Sequence, residues 1–375
     1  MPFEVLTPQG VLTTDGDHSM KIGLIELSAH SEVLDSLIRQ VMDLGANPTV
    51  YTNPFCAEAS AAAASPAVAW QVCPPDLPYA QFLERCKPSL GAQDHLLLIT
   101  PVDALCGLLH EAHTQQPAWH CLVHNLNTFT SSDDNRPSAA VAKLVLEGAA
   151  SVLLPDLRLR ESGDPLRSRA VNIAYPQHPP TEFTRDEVRC CVPGRLYSGR
   201  DHAEVLSALE LAAPRLTKQL RVDFLGAHST EETKATVETA RKAVAPAVEL
   251  RDHPGFVAQE EFDRTLSEAD FLILPIAEYL TRNGIVETRG QTCVTGNVND
   301  MVRFGLPSLL PAFYPLSGHL DGMTARYDGI ASLADLLVDW VNTDEFNRRK
   351  RTAGPGLTAY RTECLSALRE QLGCR

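Results

Sequence analysis

Twice along the chain, short apolar runs alternate with segments of helical periodicity, and this alternation restricts the fold more than any single motif does. Lys21 opens KIGLIEL, and SEVLDSLIRQVMDLG follows, in which Val33, Leu34, Leu37, Ile38, Val41 and Met42 recur at helical spacing. Ser31 is the expected N-cap of that helix and Gly45 its stop. PTVYTN, DHLLLITP, AWHCLVHN and SVLLP read as further strands, with VDALCGLLHEAHTQ and SAAVAKLVLEGA as helices among them. Strands joined through helices pair in parallel with right-handed crossovers, which gives a doubly wound α/β layer. The Pro-rich stretch YPQHPPTEF, from Tyr175 to Phe183, interrupts the rhythm and reads as an interdomain linker. The alternation then restarts, with strands in VRCCVPG, LRVDFLGA, VELRDHPGF, FLILP and LPSLLP. The helices between them fall in HAEVLSALELAAPRL, EETKATVETARKAVA, QEEFDRTLSEAD and NVNDMVRFG.

The expected architecture is α/β, with two Rossmann-like doubly wound domains facing across a cleft. Their expected limits are residues 21–180 and 181–345, after an N-terminal extension over 1–20 and before a tail over 346–375. SLADLLVDWVN reads as an amphipathic helix, and the tail as helical after a Gly-Pro-Gly break. The Ala-rich run Ala57 to Ala69 reads as loop. In such sheets ligands sit beyond the carboxyl ends of the strands, so two facing domains direct one ligand site into the cleft.

A chain of 375 residues has room for about two such cores. Its net charge of -14 argues against nucleic acid as the main partner, because phosphate backbones need a dense basic surface. The ten cysteines are scattered with no C-x-x-C pair, which suits buried thiols of a reduced, cytoplasmic protein. The first twenty residues lack the basic start and apolar segment of a secretory signal, and no apolar stretch is of membrane-spanning length.

The second half adds a specific pattern. VPGRLYSGRDHAEVLSAL gives a strand, then Gly-Arg-Leu, a second basic residue five positions on, and a helix. VDFLGA, HPGFV, QEEFDRTLSEADFLILP and a helix closed by FGLPSLLP follow in order. This succession, from Val188 to Asn342, resembles the donor domain of GT-B glycosyltransferases. The resemblance implies a nucleotide sugar, UDP- or GDP-linked, held mostly by the C-terminal domain as co-substrate. It also implies an acceptor held mostly by the N-terminal domain, and a tail helix that crosses back to brace that domain. Arg195 and Arg200 fall where the family places its phosphate-binding basic pair, and Gly226 closes the strand beside them. Backbone groups of Phe256 and Val257 would read the base.

The chemistry of such a donor fits these residue types. A departing diphosphate accumulates negative charge, and planar guanidiniums bind phosphate in bidentate fashion. Thr295, Gly296 and Asn297 lead into a helix whose N-terminus makes a second anion cradle, or serve simply as a cap. Many retaining members carry Glu-x7-Glu ahead of the Gly-x-Pro that follows that helix. Here Asp300 stands at the second Glu position and Thr292 at the first, with Glu278 lying upstream of an enlarged segment, YLTRNGIVETRGQTCVTG. Asp300 is expected either to accept from a sugar or ribose hydroxyl or to favour the helix dipole. In the first half, ELSAHSE replaces the glycine-rich loop and puts Glu26 and His30 at the cleft mouth, while His124 ends a strand facing the acceptor. An imidazole there can take a proton from an acceptor hydroxyl, with Glu26 as an alternative base or as its orienting group.

No H-E-x-x-H or comparable spacing supports a metal, so metal-independent transfer is expected. The expected acceptor is a soluble glycan, small molecule or protein. Peripheral membrane contact through Arg348, Arg349 and Lys350 is the lesser alternative to a solvated charge run. Two other readings share the architecture, a nucleotide-sugar 2-epimerase and a glycosyltransferase-like binding or scaffold protein that has lost turnover. A dinucleotide oxidoreductase is disfavoured by the missing G-x-G-x-x-G after the first strand, and a kinase or ATPase by the missing P-loop.

Overall fold

The computed structural model describes residues 20–60, 62, 65–112, 117–133, 138–161, 169–197, 199–253 and 255–373. The extension expected over 1–20 lies, Met20 aside, outside the described residues.

The first half folds into seven strands: β1 (Lys21–Glu26), β2 (Asn47–Thr52), β3 (Ala69–Val72), β4 (His95–Leu98), β5 (Ala118–Leu122), β6 (Ser151–Leu154) and β7 (Arg169–Ala170). They form one parallel sheet in the order β3-β2-β1-β4-β5-β6-β7. The second half supplies β8 (Glu187–Pro193), β9 (Gln219–Ala227), β10 (Val248–His253), β11 (Phe271–Ile273), β12 (Tyr279–Arg282), β13 (Ile285–Thr288), β14 (Ser308–Pro311) and β15 (Thr324–Tyr327). Six of these form a second parallel sheet, β10-β9-β8-β11-β14-β15, while β12 and β13 pair separately as an antiparallel hairpin. The plan of two doubly wound α/β sheets read from the alternation is the one observed.

Both faces of each sheet are covered, which is why the strands read as apolar runs rather than as alternating ones. In β1, Ile22 and Leu24 pack with Leu34, Leu37 and Ile38 of the helix Ser31–Asp43, while Ile25 joins Leu96, Leu98 and Cys121 on the other face. That helix ends as expected, with Gly45 at φ +80°. Its N-cap is His30, however, and Ser31 is already helical. In the second sheet, Cys190, Val192, Val222 and Phe224 pack with Leu337 and Trp340 of the helix Ile330–Thr343. Cys191, Leu225 and Leu272 face Met301 and Val302 of the helix Gly296–Phe304.

The tail departs from expectation in one respect. A single helix, Glu345–Gln371, runs through Gly354-Pro355-Gly356 without a break. The proline costs one backbone hydrogen bond. Burial of Ala353, Leu357, Tyr360 and Cys364 in the second core, with Leu368 in the first, outweighs that loss and carries the helix across both halves. Ion pairs of Arg361 with Asp43 (2.7 Å) and of Arg158 with Glu363 (2.7 Å) tie it to the first half. The charge run in this tail is paired within the protein, although the Arg348 side chain stays 58% exposed. Arg348 and Arg349 pair with Glu345, and the buried Lys350 donates to the Thr181 and Ala269 carbonyls at 2.7 and 3.1 Å. No helix of the described residues is long and apolar enough to cross a membrane, and the nine described cysteines are unpaired.

Candidate active site

In each sheet the strand order reverses at its centre, between β1 and β4 and between β8 and β11, the switch points where doubly wound sheets open a crevice at their carboxyl ends. The loops leaving these ends meet in a cavity of ≈ 290 Å³ lined from both halves. One wall comes from the loop after β1 and the end of β5, carrying His30, Glu32, His124 and Asn125. The facing wall carries Tyr197 and Arg200 after β8, Arg282 and Arg289 of the hairpin segment, and Thr295, Gly296 and Asn299 at a helix start.

The first wall is an imidazole stack. The rings of His30 and His124 lie 4.6 Å apart, 17° from parallel. His124 donates Nε2–H to the Ile99 carbonyl at 2.8 Å, and burial pushes its pKa down to about 4, so it stays neutral at pH 7. His30 behaves differently, because its Nδ1 lies 3.4 Å from Glu32 Oε1. Burial works against its protonation, but the Glu32 carboxylate outweighs that and raises His30 above the ordinary imidazole value. His30 and Glu32 therefore form an imidazole–carboxylate dyad at the cavity edge.

The opposite wall is cationic. Arg289 is buried and donates to the Ala277 carbonyl (2.7 Å) and to the Tyr197 hydroxyl (3.1 Å). Arg200 donates to the Pro193 carbonyl at 2.6 Å, and burial lowers its pKa. Neither of these nor Arg282 forms an ion pair among the described residues, whereas the lining carboxylate of Asp156 is spent on Arg158 at 2.6 Å. Thr295 is the N-cap of the helix Gly296–Phe304, and no side chain caps its free N–H groups. Both amide atoms of buried Asn297 and Nδ2 of buried Asn299 lack a hydrogen-bond partner. Unpaired cations, free helix N–H groups and the orphaned Asn299 amide on one wall make an arrangement suited to an anion.

Backbone geometry supports this wall. A Cβ at Gly226 in β9 would stand 2.3 Å from the Gly194 carbonyl oxygen, so only glycine lets the loop after β8 cross there. Gly194 itself sits at φ +92° beneath the Arg200 guanidinium, where a Cβ would lie 2.2 Å from Nη1.

Among the sequence candidates, His30, His124, Arg200, Thr295 and Gly296 come together in the cavity lining. Glu26 does not reach the cleft mouth. Its carboxylate is buried, accepting from Thr100 Oγ1 (2.6 Å) and the Ser28 amide (2.7 Å), and braces the loop that presents His30. Arg195 is exposed and outside the lining. Gly226, Asn297 and Asp300 lie behind the wall, and burial pushes the Asp300 carboxyl up to about 7. Glu278 uses its carbonyl to accept from the Arg289 amide at 2.8 Å. Phe256 is 79% exposed with its ring 6.4 Å from that of Phe55, and buried Val257 is likewise outside the lining. Pro254 of the same turn lies outside the described residues. Among the described residues no group of three or more His, Cys, Asp or Glu could hold a metal ion.

Glu32, Arg282 and Arg289 were not expected. The last two enter on the hairpin β12–β13, whose turn, Asn283-Gly284, has φ of +49° and +77°. Asn-Gly between two short β segments is the strongest short-range hairpin signal, and it was present in the sequence. The hairpin also fastens the two halves together. Buried Glu287 accepts from the Asn127 amide (3.2 Å), the Thr128 amide (2.6 Å) and the Thr128 hydroxyl (2.7 Å), and the Leu126 amide donates to the Thr292 carbonyl at 2.8 Å.

No protein-family model matches the chain, and no curated protein matches it. Solved structures do. The pneumococcal O-GlcNAc transferase GtfA, in complex with UDP and GlcNAc, superposes with a TM-score of 0.61 at 8% identity over 95% of this chain and 99% of that one. Anabaena Alr3699/HepE, in complex with UDP and glucose, gives 0.56 at 12% identity over 94% and 98%. A Listeria monocytogenes chain described as a UDP-N-acetylglucosamine 2-epimerase gives 0.55 at 11% over 95% and 97%. At these identities the likeness is one of fold, and the chain has the GT-B fold.

Proposed function

We propose that the chain is a glycosyltransferase that moves a sugar from a nucleotide diphosphate to an acceptor hydroxyl. The observation that carries this reading is the wall of three guanidiniums without carboxylate partners, set beside an uncapped helix start. The diphosphate lies against Arg200, Arg289 and the N–H groups at Thr295–Gly296, with Arg282 closing over it. UDP is the nucleotide we infer, supported by the UDP complexes of Alr3699/HepE and GtfA. The guanidiniums compensate the charge that develops on the leaving group, so transfer is inferred to be metal-independent.

Across the cavity, Glu32 raises the basicity of His30, which takes the acceptor proton as the acceptor oxygen bonds to the anomeric carbon. The anomeric C–O bond to phosphate breaks, and its electron pair leaves with the diphosphate. A base on the face opposite the leaving group suits inversion. His124, neutral and fixed by Ile99, positions the sugar through its stack with His30.

The test incubates the protein with UDP-glucose and UDP-N-acetylglucosamine, with and without a mixed panel of alcohols, and follows products by mass spectrometry. Glycosylated acceptor plus UDP, abolished by His30→Ala, supports the reading. The likeness to a chain described as a 2-epimerase gives the second reading its footing. A new UDP-sugar isomer formed without acceptor would favour it.

A further inference from the structure

A second cavity of ≈ 330 Å³ adjoins the first and shares four polar lining residues with it, His30, His124, Asn125 and Arg282. Its remaining body is of different character, built from Pro101, Val102, Val123, Phe129 and Ala142 of the first domain. Hydroxyls do line it, but their protons are committed inside the protein. Thr100 Oγ1 donates to Glu26 (2.6 Å), Thr128 Oγ1 to Glu287 (2.7 Å) and Ser138 Oγ to the Pro101 carbonyl (2.6 Å). The remaining polar lining comes from Ser28, Asn283 and the four shared residues.

Resting on the transferase reading, we propose that this second cavity is the acceptor site. Its occupant is a small, hydroxyl-poor alcohol or phenol rather than a sugar or a peptide. The shared imidazole wall sets the acceptor's reacting oxygen against His30 and the donor sugar beyond it. The apolar body accepts a ring or short hydrocarbon, and its volume is at the lower end for a small-molecule site, which leaves no room for an extended chain. A hexose would carry several further hydroxyls into that body. Each one left without a partner there weakens binding by about tenfold or more.

The experiment measures binding of para-nitrophenol and benzyl alcohol, and of glucose and N-acetylglucosamine, by ligand-observed NMR in the presence of saturating UDP. It is repeated on Val102→Trp, which fills the apolar body of a cavity whose lining includes neither Arg200 nor Arg289. The expected result is saturable binding of the phenol and the alcohol, at least tenfold tighter than of either sugar, and lost in Val102→Trp while UDP binding is retained. Tighter binding of the sugars, binding of neither class, or phenol binding unaffected by Val102→Trp overturns the proposal. Failure of UDP itself to bind strikes instead at the transferase reading, so the two failures are distinguishable.

Discussion

Replacing Arg289 separates the anion wall from the surrounding surface charge. Arg289 is 4% exposed and held by two neutral acceptors, with no carboxylate at ion-pair distance among the described residues. A charge-assisted hydrogen bond contributes about 1.5–3 kcal/mol, so Arg289→Met is expected to weaken UDP binding by about 10- to 150-fold. Arg195 is exposed and outside the cavity, and its replacement by alanine is expected to change the Kd by less than about threefold, the range of an ordinary surface substitution. Isothermal titration of UDP into the three proteins gives both ratios, with circular dichroism confirming that Arg289→Met is folded. A larger loss for Arg195→Ala than for Arg289→Met would refute the assignment of the anion wall.

Other expected outcomes follow from the same geometry. Because Glu32 raises His30, the acid limb of kcat/KM lies above the ordinary imidazole value. Glu32→Gln moves that limb to lower pH, which a pH–rate profile reads directly. Burial keeps Asp300 protonated up to about pH 7, so the folded state holds a proton that the unfolded chain loses near pH 4. Stability therefore falls as pH rises across that window, and Asp300→Asn removes roughly 2–4 kcal/mol of the dependence in urea titrations at pH 5 and pH 8. Glu287→Ala strands three donors at the hairpin junction and lowers stability by about 3 kcal/mol, seen as a lower urea midpoint. Gly226→Ala displaces the loop bearing Arg200, costs about 1–3 kcal/mol and weakens UDP binding in the same titration.

The layers of the fold were legible because both sheets are buried on both faces, which leaves runs such as LLLI and CLV unmistakably apolar. The edge strand β3, AWQV, was not legible, since three of its four residues are exposed and no apolar run marks it. The helix Tyr79–Leu90, with four buried residues, and the short β15, TARY, also went unread. In the site, His30, His124 and the helix start at Thr295 were legible because each follows a strand or begins a helix at a carboxyl edge. Arg289 was hidden in a segment that looked like an insertion. Only the hairpin's docking against Asn127 and Thr128, a contact between distant residues, brings it into the cleft. Glu32 takes the histidine-orienting place expected of Glu26 for a local reason. Glu26 ends β1 pointing into the protein, and Glu32, one residue into the helix, turns back toward His30.

A crystal structure of the protein with UDP bound shows where the diphosphate sits. The expected result is diphosphate oxygens within hydrogen-bond distance of Arg200, Arg289 and the Gly296 amide, between the two sheets. A nucleotide seated elsewhere, or a cavity that stays empty at millimolar UDP, would contradict it.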